Sequence, residues 1–148
     1  MKPFVQLLAL IGALFVLRGL PVRVQTTERT VWNGVYTKEQ AIRGQQAYRK
    51  ACTYCHHDDL LGGEDLQVIP PALVGITFSE RWNNRSVAEL FRTIAETMPW
   101  RRPSLDAQSY ADILTYLLQE NGMPAGATEL PAAIAPLENI LITDKPKP

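Results

Sequence analysis

The 148-residue sequence predicts an all-α fold on three grounds. Three segments carry a capping residue followed by apolar residues at helical spacing. No run of alternating β-branched residues marks a strand. The longest irregular stretch, 58–80, is punctuated by Gly62-Gly63, Pro70-Pro71 and Gly75 rather than patterned for a sheet.

Thr37 opens the first helix, expected over about 38–51, with Gln40 placed to complete a capping box. Gly44 and Tyr48 sit four apart on one face of it. Glycine costs about 1 kcal/mol in a helix interior, so Gly44 predicts another helix passing close by. Ser86-Val87-Ala88-Glu89 is a second capping box, opening a helix to about residue 96 whose Val87, Leu90, Phe91 and Ile94 face inward. The last helix, about 107–120, takes Asp106 as N-cap and Asn121-Gly122 as its stop. Its Tyr110, Ile113, Leu114 and Leu117 form an apolar stripe, flanked by Tyr116, that must be covered. The first and last helices are expected to cross there.

Around this domain, placed at 31–122, lie two other regions. Residues 1–24 hold a basic Lys2 and an apolar run to Leu17, shorter than the ~20 residues of a bilayer span and suited to a secretory signal. The sequence from Arg18 to Gln25 offers no good small-x-small cleavage site, so an uncleaved N-terminal membrane anchor stays open beside the signal reading. Residues 123–148 read as an extended Pro/Ala-rich tail with a late apolar set, Leu137, Ile140 and Ile142. Net charge is zero, and no basic stripe interleaved with aromatics is present, which argues against nucleic acid as a partner.

The chemistry is concentrated in Cys52-Thr53-Tyr54-Cys55-His56. Positions i, i+3 and i+4 share a helix face, so two thiols can reach the two vinyl groups of a haem while the imidazole points at its iron. A zinc site needs four ligands, usually as two separated pairs, whereas the only two Cys and two His of the chain all fall between residues 52 and 57. A thioredoxin-like pair needs a βαβ setting that the sequence lacks. A structural disulfide leaves the adjacent His unexplained, and with both thiols given to haem no disulfide framework is implied. A long loop at 58–80 fits a segment that wraps a cofactor. A domain this small gains from such a plate, so the haem-loaded protein is expected to be much more stable than the apoprotein.

The residues resemble class I cytochrome c. An N-terminal helix carries Gly44-x-x-x-Tyr48 into Cys52-x-x-Cys55-His56. Pro70-Pro71-x-Leu73-x-Gly75 follows, then Met98-Pro99, then a C-terminal helix with Ile113-Leu114-Thr115-Tyr116-Leu117. The resemblance spans roughly 31–122. The lead-in from Val31 to Thr37 and the exit from Gly126 to Leu130 are similar to monohaem cytochromes that accompany or are fused to bacterial quinoprotein dehydrogenases.

The resemblance implies a small cytochrome c fold with crossed terminal helices and long haem-wrapping loops. It implies one haem c bonded through Cys52 and Cys55, with His56 as proximal and Met98 as distal iron ligand. It also implies a Pro71 carbonyl that takes the proximal imidazole N–H, and a Trp82 indole that bonds a haem propionate. Methionine is more often core filler than ligand. Met1 belongs to the signal and Met123 lies past the last helix, however, which leaves Met98, stiffened by Pro99. His57 points about 100° from His56 on a helix and is expected at the surface. Trp100, Arg101 and Arg102 either flank the haem edge or a propionate, or are ordinary solvated residues.

The function implied is that of a periplasmic one-electron carrier and not of an enzyme. It would run between a dehydrogenase or quinol-oxidising donor and an oxidase or other acceptor. Two alternatives accompany it. One is a fixed haem subunit, held in a larger complex by the N-terminal anchor or the tail around Leu137 to Ile142. The other is a five-coordinate haem sensor or peroxidase, which requires that Met98 not bind.

Overall fold

A computed structural model describes residues 29–63, 69–100 and 104–147. The proposed signal or anchor at 1–24 lies outside the described residues, as do Arg101 and Arg102. The elements run β1 (Arg29–Thr30), a 3₁₀ turn (Val31–Asn33), α1 (Lys38–Ala51), α2 (Thr53–His56), α3 (Gly75–Trp82), β2 (Arg85–Ser86), α4 (Val87–Thr97), α5 (Ala107–Glu120), α6 (Ile134–Leu137) and β3 (Ile140–Ile142). Among the described residues no helix is long and apolar enough to cross a membrane. The mostly helical fold agrees with a small cytochrome c fold.

Each long helix begins where a side chain can take a free backbone N–H. Thr37 Oγ1 accepts from Gln40 N at 3.1 Å, and Asp106 Oδ1 accepts from Ser109 N at 2.8 Å. Ser86 and Glu89 form a complete reciprocal box at the start of α4. The box expected at Thr37 is only half made. Gln40 is fully buried and spends its side chain on the backbone of Leu130, donating to the carbonyl at 2.9 Å and accepting from the N–H at 2.7 Å.

α1 and α5 cross at Gly44, where an added Cβ would collide with the Asp112 carbonyl. Beside the contact Arg43 grips Asp112 with two hydrogen bonds, at 2.9 and 3.1 Å. The sequence suggests an apolar stripe on α5, yet every residue from Tyr110 to Leu118 is buried. A helix buried all round needs cover on its far side too.

That cover comes from the segment after Gly122, which corrects the expectation of an extended tail set apart from the domain. Leu130, Leu137, Ile140 and Ile142 are buried in the main core with Val31, Phe91 and Leu114. β3 is the centre of a three-stranded sheet, parallel to β1 (Arg29 opposite Ile140) and antiparallel to β2 (Arg85 opposite Ile142). Tyr36 Oη donates to the Met123 carbonyl at 2.6 Å, and Trp32 Nε1 donates to that of Thr143 at 2.8 Å. Gly126 passes so close to Gly34 that a Cβ on it would strike the Gly34 carbonyl. Four apolar residues spread over thirteen positions make no local pattern, because the surfaces they bury against belong to distant elements.

A second correction concerns 58–80, where the expected loop contains α3. No side chain caps it at Val74, and its Ile76 is exposed, so local signals are weak. Its one internal cue is Phe78 and Trp82, four apart and both buried.

Two substitutions test this packing. Gly44→Ala should destabilise the haem-loaded protein by at least about 2 kcal/mol, because the helices must separate to admit a methyl group. Gln40→Ala should cost about 2–4 kcal/mol by leaving the Leu130 N–H and carbonyl buried without partners. Denaturant unfolding checks both against Ile42→Ala on the exposed face of α1, which should shift stability by no more than about 0.5 kcal/mol.

Candidate functional site

The Cys-x-x-Cys-His residues occupy a single turn at the end of α1. Cys52 closes α1 and opens α2, and its carbonyl accepts from Cys55 N at 3.1 Å and His56 N at 2.9 Å. This turn sets both thiols and the imidazole on the wall of one cavity. Cys52 and Cys55 are free thiols, not joined to each other. Burial, then the neighbouring Cys55, push the Cys52 thiol up to about 11, so it stays protonated until it reacts. His57 follows with φ +57°. This left-handed step ends the turn, and His57 is exposed and off the cavity wall.

His56 is buried, and its Nδ1 lies 3.2 Å from the Pro71 carbonyl. A carbonyl only accepts, so Nδ1 carries the proton and the Nε2 lone pair is left for a metal. Burial lowers the His56 pKa, the Pro71 hydrogen bond partly offsets that, and His57 lowers it again. The ring is held neutral, the form that ligates.

The Pro71 loop is itself pinned. Leu73 N donates to the Leu60 carbonyl at 2.7 Å, and Gly62 N donates to that of His56 at 3.2 Å. Asn121, read from sequence only as a helix stop, donates to the carbonyls of Leu73 at 2.9 Å and Leu117 at 2.8 Å, and its Oδ1 accepts from Gly75 N at 3.1 Å. The Cα of Gly62 has φ +77°, and a Cβ there would collide with the Pro70 carbonyl, so glycine is required twice over. Sequence reasoning missed Asn121 because its loop partners, Leu73 and Gly75, lie more than forty positions away.

Met98 stands at the end of α4 in extended conformation, φ −122° and ψ 144°, and lines the same cavity. Trp82 is buried on α3 and also lines it, with the guanidinium groups of Arg81 and Arg85 at 5.7 and 4.8 Å from its ring. Trp100 is on the wall as well, half exposed.

The cavity holds about 640 Å³, within the roughly 300–1,000 Å³ of cofactor sites. Its wall is mainly apolar, with Leu73, Phe78, Leu90, Ile94, Ile113 and Leu117 among its residues. Among the described residues no cluster of three or more His, Cys, Asp or Glu side chains could hold a metal ion by itself. A flat apolar group carrying its own metal fits this donor set: two thiols one turn apart, one oriented imidazole, one thioether and an apolar enclosure.

Fold and site together define a c-type cytochrome domain. The family model for cytochrome C oxidase, cbb3-type, subunit III matches residues 39–117, and the chain belongs to that family. Neither the curated proteins nor the solved structures yield a match. The family implies covalently bound haem c, which supplies a reversible one-electron couple, and the domain is an electron carrier rather than a catalyst.

The loop held by Asn121 allows a direct test. Asn121→Ala should destabilise the haem-loaded protein by about 1–3 kcal/mol, since it strips partners from Leu73 and Gly75. Amide exchange should quicken at Gly75, at the end of the Pro71 loop, and remain slow at Leu90 in α4.

Proposed function

We propose that the protein carries one haem c whose iron is ligated by His56 and Met98, and that it shuttles single electrons between exported or membrane-bound redox proteins. The observation that supports this most is the convergence of Cys52, Cys55, His56 and Met98 on one apolar cavity. Held by both the His56 imidazole and the Met98 thioether, such a metal would keep no open position for substrate, and neither redox state would demand rearrangement. The soft Met98 sulfur favours the reduced state relative to a second imidazole, and burial favours it further, so the potential sits above that of a bis-His site. The Pro71 carbonyl makes the His56 ring a better donor, and Trp82 beside Arg81 gives one edge of the cavity the polar groups that suit a propionate.

The apolar run before Arg18 supports export, and the compartment is the periplasm, with the segment either cleaved or kept as an anchor. The donor is a dehydrogenase or a quinol-oxidising complex and the acceptor an oxidase or another exported redox protein. The matching family is described as a subunit of an oxidase, which favours a second reading in which this chain is a fixed haem subunit. Leu137 and Ile142 are buried within the domain's own core. In that reading the N-terminal segment therefore does the holding. Co-purification with a larger complex that survives high salt selects the subunit over the free shuttle.

Protein produced with the haem-attachment machinery should gain the mass of one haem and keep it after denaturation, whereas Cys52→Ala/Cys55→Ala should not. The oxidised protein should show the weak far-red charge-transfer band of thioether ligation, and Met98→Ala should lose it and bind carbon monoxide readily when reduced. A wild type that lacks the band and takes up carbon monoxide would instead be a five-coordinate sensor or peroxidase.

A further inference from the structure

We infer that Tyr110 is the positioning residue for Met98, a latch that ties the loop leaving α4 to the first turn of α5; this rests on the reading of Met98 as an axial ligand. Tyr110 is buried, with 4% of its surface exposed. Its hydroxyl donates to the Met98 carbonyl at 2.6 Å and accepts from Ser104 N at 3.2 Å and Leu105 N at 3.4 Å. A phenol oxygen has one hydrogen to give and two lone pairs to offer, so all of its capacity is used on this loop. One atom thus joins both ends of the chain between Met98 and Leu105 to a helix.

The consequence for Met98 follows from how the rest of it is held. Its N–H still bonds the Ile94 carbonyl at 3.0 Å as the last bond of α4. Its own carbonyl points beyond the helix, where the chain has turned extended, and Tyr110 is the group that fixes it. The peptide planes on both sides of the Met98 Cα are then set, and with them the direction in which the thioether leaves the backbone. A neutral thioether is a weak ligand whose hold on a metal depends on being pre-placed rather than on bond strength alone. Loosening the carbonyl should therefore show first as easier displacement of the sulfur by an added ligand. Leu105 packs against both apolar clusters, so the loop stays seated by its side chain when the hydroxyl is lost. Tyr110→Phe then removes the latch and little else.

The test is imidazole binding to the oxidised, haem-loaded wild type, Tyr110→Phe and Met98→Ala proteins. Met98→Ala should bind imidazole tightest and the wild type weakest. Tyr110→Phe should bind about tenfold tighter than the wild type, the scale of one hydrogen bond, with its far-red band weakened but present. If Y110F unfolds more easily yet binds imidazole as the wild type does, Tyr110 is only a packing residue and the latch is overturned. If the wild type and M98A bind imidazole equally, the axial-ligand reading fails and takes the latch with it. A second measurement needs no variant: the Ser104 and Leu105 amides of the wild type should exchange slowly, and exchange at the rate of an unstructured peptide overturns the inference.

Discussion

The close contact of α1 and α5 at Gly44 is the constraint from which the site follows. With no side chain at residue 44, the backbone of α1 rests on the Asp112 carbonyl, and Arg43 locks the angle by gripping the Asp112 carboxylate. Two turns further along α1 the chain reaches Cys52. The attachment turn is therefore aimed by a contact made elsewhere. On α5 the same crossing turns Ile113 and Leu117 toward the cavity wall that Tyr48 also lines. The ring centroids of Tyr48 and Tyr116 lie 5.3 Å apart at this junction, so the small cluster beneath the cavity belongs to the crossing as much as to the site. A side chain at position 44 would thus disturb more than stability, because Tyr48 of α1 and Ile113 and Leu117 of α5 all stand on the cavity wall.

The far side of α5 is closed by the chain after Gly122, and this changes how a domain of such small size holds together. The family match ends at residue 117, yet the main core includes Met123, Leu130, Leu137, Ile140 and Ile142. A cytochrome domain surrounds a large cofactor on one side of its last helix and has few residues left to cover the other. Here the added segment supplies that cover. It is fastened by polar contacts whose partners are far apart in sequence: Gln40 with Leu130, Arg43 with Glu129 at 2.9 Å, and Trp32 with Thr143. Arg43 joins the belt directly to the helix crossing, since the same guanidinium holds Asp112. Its two carboxylate partners raise its pKa above the usual arginine value, so the guanidinium stays charged at any ordinary pH.

What could be read from the sequence was whatever is encoded locally. Thr37, Ser86 and Asp106 fixed the helix starts because a cap and its N–H lie three residues apart. Gly44 announced the crossing because glycine inside a helix needs a reason, and Cys52, Cys55 and His56 announced the attachment turn through spacing alone. Gln40 misled for an instructive reason. It sits at the right place for a capping box, but a buried backbone pair at Leu130 had the stronger claim on its amide, since groups left unpaired in the core cost more than an unfilled cap at the surface. α3 was hidden because its N-terminus has no side-chain cap. Its first N–H, that of Gly75, is met instead by Asn121 from the other end of the domain. Asn121 and Tyr110 act by side-chain bonds to distant backbone, which leave no periodicity in the sequence, and only the folded chain reveals them.

These two residues also give α5 a meaning beyond closing the core. Asn121 ends the helix and Tyr110 stands in its first turn, about three helical turns away. Asn121 holds the loop whose Pro71 carbonyl orients His56, while Tyr110 holds the backbone of Met98. One rigid rod therefore carries the supports for two of the loops that line the cavity, and α1, crossing it at Gly44, brings in the attachment turn. A shift of either loop relative to the other would require bending a helix that is buried on every face. For a protein that passes electrons, such stiffness is useful. The less the surroundings of a metal move between oxidation states, the smaller the rearrangement that each transfer must wait for. The fold thus reaches its electron-transfer function less through any single ligand than through the fixed separation of the two loops that α5 imposes.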